Sequence, residues 1–360
     1  MVPTAVGLAS EAALHRSSEA ALHIRHLTYR TVARRSIGYP TFCMSHYVTI
    51  PIKANGAIDP DEQIQDIISK SVSPVFNPTD IFIYSHGWWT TTDAALKQYN
   101  LATTDLIYFL RGQGHLLNPQ TSPLLIGIHW PSIIDDDPSS TLNLLEPFTF
   151  YQMQKRADDI GDEGLYTILR LILAPAHVAN LRINLIGHSF GCKVVCSALQ
   201  ELAVKQVPIP GNVSFNVVLL QAAFTTDALD QGGPYASVIP TFGPRLRMLV
   251  SRSNLDLALR NDFPTAQRLD LFHAGVDTAL GFTGPSVATV GAFANNRQVA
   301  VIRGSQFLGH EPALPPGPAI VTADLTPIHQ ANVGFQGGPG GHHTDIFLQE
   351  IYDLMCWFFF

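Results

Sequence analysis

Charge is scarce in this chain: only 14% of its residues are Asp, Glu, Lys or Arg, against roughly a quarter in an ordinary globular domain. No run of Lys or Arg occurs and the net charge is -7. A phosphate-tracking stripe is therefore missing, which argues against a nucleic-acid partner. Cysteine is sparse as well. The four thiols, Cys43, Cys192, Cys196 and Cys356, are scattered and imply no disulfide framework. Cys192 and Cys196 lie one helical turn apart and read as small buried thiols before they read as metal ligands. No stretch is long and apolar enough to cross a membrane. Residues 1–30 place Glu11, His15, Arg16 and Glu19 among alanines, which denies them the apolar core of a secretory signal. The cytoplasm is then the default compartment. Internal repeats and low-complexity linkers are absent too.

What the chain has is apolar material, 46% of 360 residues, enough for one large α/β domain. Residues 1–40 are Ala-rich and then basic, and are expected to form an arm or edge element. Residues 41–360 are expected to form a single domain with insertions near 133–150 and 260–340. A β-rich run covers Phe42 to Ile52, and a short helix is expected over Asp59 to Ser69. Buried strands are expected at Asp80 to Ser85, Leu124 to Pro131, Ile183 to Gly187, Val213 to Ala223 with Val217 to Leu220 at its centre, Arg247 to Ser251, Val299 to Ile302 and Ala319 to Ala323. Between them, helical spacing marks Asp93 to Arg111, Phe150 to Leu173 and the residues after Gly191, with a last helix over Ile346 to Trp357. Such alternation predicts a doubly wound, mostly parallel sheet with helices on both faces. The very apolar end, Met355 to Phe360, is expected to pack onto the domain or a partner copy.

One stretch organises the rest. Ile183-Asn184-Leu185-Ile186 leads into Gly187-His188-Ser189-Phe190-Gly191, and Lys193 to Leu199 continues at helical spacing. Strand, Gly-x-Ser-x-Gly, helix is the setting of a nucleophile elbow, in which the serine sits on a strained turn with its hydroxyl clear of the sheet. The plain alternative is a structural turn.

A serine hydroxyl needs a general base, and the base needs a carboxylate to fix its tautomer. In this chain order the acid follows the nucleophile past a strand end, and the histidine comes last. Asp256, after Arg247 to Ser251, fits the acid; Asp227, Asp230 and Asp324 are its rivals, and a loop carboxylate or helix cap is the plain alternative. His343 fits the base, following the glycines of 334–341, with Thr344-Asp345 behind it as a helix cap. His342 is its main rival, His310 and His329 are outsiders, and a surface histidine is the plain alternative for each. Two N–H donors would hold the oxyanion: the backbone of Phe190 and, from the loop after Ser85, that of Trp88. His86 and Gly87 order that loop, and with Trp89 they are assigned to the wall of a substrate pocket. His188 and His129 read as core histidines. No cofactor or metal is expected: the 334–341 glycines follow no strand-to-helix turn, and His342-His343 has no further ligand at metal spacing.

Together, Ser85-His86-Gly87-Trp88, Leu185 to Gly191, Ser251 to Leu259 and Gly341 to Ile346 resemble the α/β-hydrolase superfamily, in a little-characterised bacterial and fungal branch of serine esterase-like proteins. The resemblance runs from about Asp80 to the end of the chain. It implies an eight-stranded core carrying Ser189, Asp256 and His343 as a triad. It also implies hydrolysis of carboxylic esters, esterase- or lipase-like, through an acyl-enzyme. Acyl transfer by the same triad is one alternative, and a non-catalytic binding or effector protein on the same fold is another. Trp88-Trp89 and the Phe/Leu-rich stretch from Leu142 to Phe150 point to an apolar, lipid-like ester.

Overall fold

The computed structural model describes residues 46–58, 64–66, 68, 78–112, 123–133, 146–174, 180–269, 278–307, 310–332 and 340–360. The N-terminal arm, most of the 59–69 helix and most of the 133–150 insertion lie outside them.

Eight strands form one sheet: β1 (His46–Pro51), β2 (Asp80–Ser85), β3 (Leu124–His129), β4 (Leu181–His188), β5 (Val213–Leu220), β6 (Leu246–Arg252), β7 (Asn295–Ala300) and β8 (Ala319–Asp324). Their order is β1-β3-β2-β4-β5-β6-β8-β7. Every neighbouring pair is parallel, not merely most of them. The central strands are buried on both faces, which is why they read as largely apolar runs interrupted only by single polar residues such as Asn184 and Asn216. β7 is different. Its sequence, Asn-Asn-Arg-Gln-Val-Ala, is mostly polar and largely exposed, as suits an edge, and it begins four residues before the apolar run that marked it in the sequence.

Helices cover both faces. On one lie α2 (Glu146–Asp159), α3 (Tyr166–Leu173) and α4 (Gly191–Val204). They bury Phe150, Met153, Leu169, Val195 and Leu199 against Ile83, Leu185 and Val217. α2 and α3 run on as one unit through a wider π turn, Ile160–Leu165. On the other face α1 (Thr92–Gly112) packs beside the last helix, α6 (Gln349–Phe359). Met355 to Phe359 is buried there within the same chain. That helix starts later than its pattern predicted, because Thr344-Asp345 does not cap it; Leu348 stands at its N-cap, and the Asp345 carboxylate is engaged elsewhere. α5 (Phe263–Leu269) follows a second π turn after β6.

Candidate functional site

β4 ends at His188 and α4 begins at Gly191, so Ser189 and Phe190 make the whole turn between them. Ser189 has φ +55°, a left-handed conformation that costs a non-glycine residue free energy. The two glycines explain why the strain persists. A Cβ at Gly191 would come within 2.1 Å of the Ser85 carbonyl oxygen, and one at Gly187 within 2.6 Å of the Cys192 backbone. Only bare backbone lets α4 fold back this close to β2 and β4. The Ser189 amide donates to the Leu220 carbonyl at 3.0 Å, pinning the bend across to β5. The Ser189 hydroxyl makes no hydrogen bond among the described residues.

His343 arrives from the far end of the chain. Its Nδ1 lies 2.7 Å from Oδ2 of Asp256. Its backbone carbonyl accepts a hydrogen bond from Nε2 of His188, the residue before Ser189, at 2.9 Å. The two rings sit 5.0 Å apart. The loop that carries His343 is bridged to the Asp256 loop by a short antiparallel contact between Asp256 and Gly341. Asp256 is wholly buried, and its other oxygen accepts from the amide of Leu259 at 2.9 Å. It is therefore both a helix cap and the carboxylate held against His343.

The rival acids are accounted for elsewhere. Asp227 is exposed. Asp230 accepts from the Ser286 and Thr289 hydroxyls. Asp324 pairs with Arg252 at 2.6 Å. Among the rival histidines, His310 is exposed, and His329 is buried between the Ser253 hydroxyl and the Asp345 carbonyl. His342 has its own carboxylate, Asp345, at 2.7 Å, and stacks on His329.

Gln221 escaped the sequence reading. It directly follows β5, has φ +46° and is fully buried. Its Nε2 donates to Oδ2 of Asp256 at 2.7 Å and to the His342 carbonyl at 3.2 Å. Two acceptors on one side fix which end of the amide is nitrogen. No motif announces such a residue; only the strand-end position it shares with Ser189 could have marked it.

The loop after β2 lies over the bend. A Cβ on Gly87 would fall 2.8 Å from the Ser189 Cβ, so glycine is what allows the two segments to touch. His86 is fully buried behind this loop, stacked on Trp130 with centroids 5.1 Å apart. Nε2 of His86 accepts from the Trp130 amide, which leaves Nδ1–H to donate to the Gly87 carbonyl. Burial holds its pKa down at about 3, so it is neutral and braces the loop rather than facing a cleft. Burial and the neighbouring His343 likewise bring His188 to about 3.

The Trp88 ring stacks on Phe190 at 5.7 Å, and Phe150 meets both. Trp89 is exposed, at φ +60°. Neither the Trp88 nor the Phe190 amide has an acceptor among the described residues. Among those residues, no group of three or more His, Cys, Asp or Glu side chains is placed to hold a metal. None of their helices is long and apolar enough to cross a membrane.

No protein-family model matches this chain, and no curated protein matches it significantly. The reading of this site therefore rests on its own geometry and chemistry.

Proposed function

We propose that this protein is a cofactor-independent serine hydrolase of carboxylic esters, built on a variant of the α/β-hydrolase fold. The observation that carries the reading is His343, whose Nδ1 is held by buried Asp256 at 2.7 Å while its own carbonyl is tied to the residue before strained Ser189. The strand order departs from that superfamily's usual one.

Asp256 fixes the His343 tautomer with the proton on Nδ1, leaving Nε2 as a base. Nε2 takes the Ser189 proton as Oγ attacks the ester carbonyl; in unliganded sites this hydrogen bond is often long and tightens with substrate. The Trp88 and Phe190 amides, both without an acceptor among the described residues, are the candidate donors to the oxyanion. Protonated His343 then gives its proton to the departing alkoxide, and a water deprotonated by His343 releases the acid. The half-buried Trp88 ring beside the bend, backed by buried Phe150 and Phe190, favours an apolar acyl chain.

Fluorophosphonate labelling, followed by a panel of nitrophenyl esters, tests both parts. The native protein should be labelled and Ser189→Ala should not; labelling that survives in the variant removes Ser189 as nucleophile. Among the esters, butyrate or longer should outrun acetate, and a clear preference for acetate contradicts the apolar acyl site.

A further inference from the structure

At the opposite end of the sheet from Ser189, the first residues of β4, β5 and β6 border an open-sided cavity of about 790 Å³, roomy enough for a small molecule. Arg182, Arg245, Arg247, Ser214, Pro315 and Phe360 are among its walls, and no Asp or Glu lines it among the described residues. The three arginines are not equally satisfied. Arg182 grips Asp80 in a two-bond fork, Nε to Oδ1 at 2.7 Å and Nη2 to Oδ2 at 2.8 Å, so these charges cancel. Arg245 donates only to neutral acceptors, the carbonyls of Ile209 and Pro210, at 3.0 Å each. Arg247 has no hydrogen-bond or ion-pair partner among the described residues. Its Nε is sealed from solvent, and its guanidinium lies 5.1 Å from the Phe358 ring centre.

A partly buried guanidinium without an anion has lost water and gained little in return. Burial, aided by the Arg182 charge, lowers the Arg247 pKa to about 10, as expected of a cation lacking its counter-charge. Arg245 and Arg247, neither paired with an Asp or Glu among the described residues, match a dianion, and planar guanidinium forks suit the oxygens of a phosphate. Leu314, Pro315 and Phe360 add an apolar wall.

We infer that this cavity binds a small phosphate-bearing molecule with an apolar or aromatic body, the phosphate held by Arg247 and Arg245. The site contains no part of the proposed hydrolytic machinery and does not depend on it.

Isothermal titration calorimetry with phenyl phosphate, inorganic phosphate and benzoate tests it. Phenyl phosphate should bind saturably at one site, more tightly than either other probe, and equally well in Ser189→Ala. Arg247→Gln should weaken it about tenfold or more, and Arg247→Lys less, since charge is kept and only the fork is lost. Arg245→Gln should also weaken it, and serves if the Arg247 variants do not fold. Absence of saturable heat below about 10 mM phenyl phosphate overturns the site. So does an affinity unchanged in every arginine variant that folds. Benzoate binding as tightly as phenyl phosphate overturns the phosphate assignment, and inorganic phosphate doing so overturns the apolar body.

Discussion

His342 and His343 are neighbours in the chain, and each presents Nδ1 to a carboxylate oxygen at 2.7 Å. The resemblance ends there. Asp345, the partner of His342, lies three residues away on the same loop, so that pair forms wherever the loop goes. Asp256, the partner of His343, lies 87 residues away and depends on β6 ending at the right place. The carbonyl of His343 is tied to the Ser189 turn through His188, whereas that of His342 is tied to Gln221. Local pairing makes a well-ordered imidazole. Only the long-range pair lies on the loop that is tied to the residue before the strained serine.

The comparison breaks most visibly in kinetics. On a nitrophenyl ester, His343→Ala should lower kcat/KM about 10⁴-fold, and His342→Ala no more than about tenfold. Asp256→Asn should follow His343→Ala closely, while Asp345→Asn stays near the native rate. Equal losses in the two series would mean that the pairs act as one, or that His342 is the base.

Gln221 touches both pairs, so it can be used to weigh them. Gln221→Leu should cost roughly 30-fold in kcat with little change in KM, as expected when a group acts by positioning another. Gln221→Glu keeps the shape but turns a carboxylate toward Asp256, and should be worse than Leu. A Glu variant better than Leu would show that the donated hydrogen bond is immaterial.

The smallest effect concerns the anchors. His188 and His86 are buried and neutral, with pKa values lowered from 6.5 to about 3. Unfolding lets each take up a proton below pH 6.5, so the stability they contribute is present above that pH and is lost as pH falls toward 3. Between pH 7.5 and 6 the loss should be about 1 kcal/mol for each. Chemical denaturation at the two pH values measures it, and His188→Gln should remove about half. An amide such as Gln221 has no such dependence.

How far the sequence alone carries can be judged from particular residues. β2, β4 and β5 were legible because strands buried on both faces are mostly apolar, the buried Asn184 and Asn216 satisfying each other across β4 and β5. The Ser189 bend was legible because contacts closer than 3 Å at Gly187 and Gly191 leave no other residue possible. Strand-end order pointed to Asp256 ahead of Asp227, and the chain end to the pair His342-His343; the structure sets His343 against Asp256. Gln221 was not legible: its role depends on a left-handed backbone and on which loops meet there. The polar edge strand β7 was placed late because apolar pattern marks burial and not pairing. Thr344-Asp345 reads as a cap by residue type, yet the carboxylate found an imidazole nearer than a helix end. The arginine-lined cavity was invisible because it gathers Arg182, Arg245 and Arg247 from the starts of neighbouring strands.

The contact between His188 and His343 spans 155 residues, and it bears on how the molecule is made. Synthesis proceeds from the N-terminus, so Ser189 and Asp256 can both have left the ribosome while the loop that carries His343 is still inside it. In the proposed chemistry, a growing chain at that stage carries a serine without a base. Its hydroxyl stays inert toward the esters around it until translation has delivered residue 343 and that loop has docked.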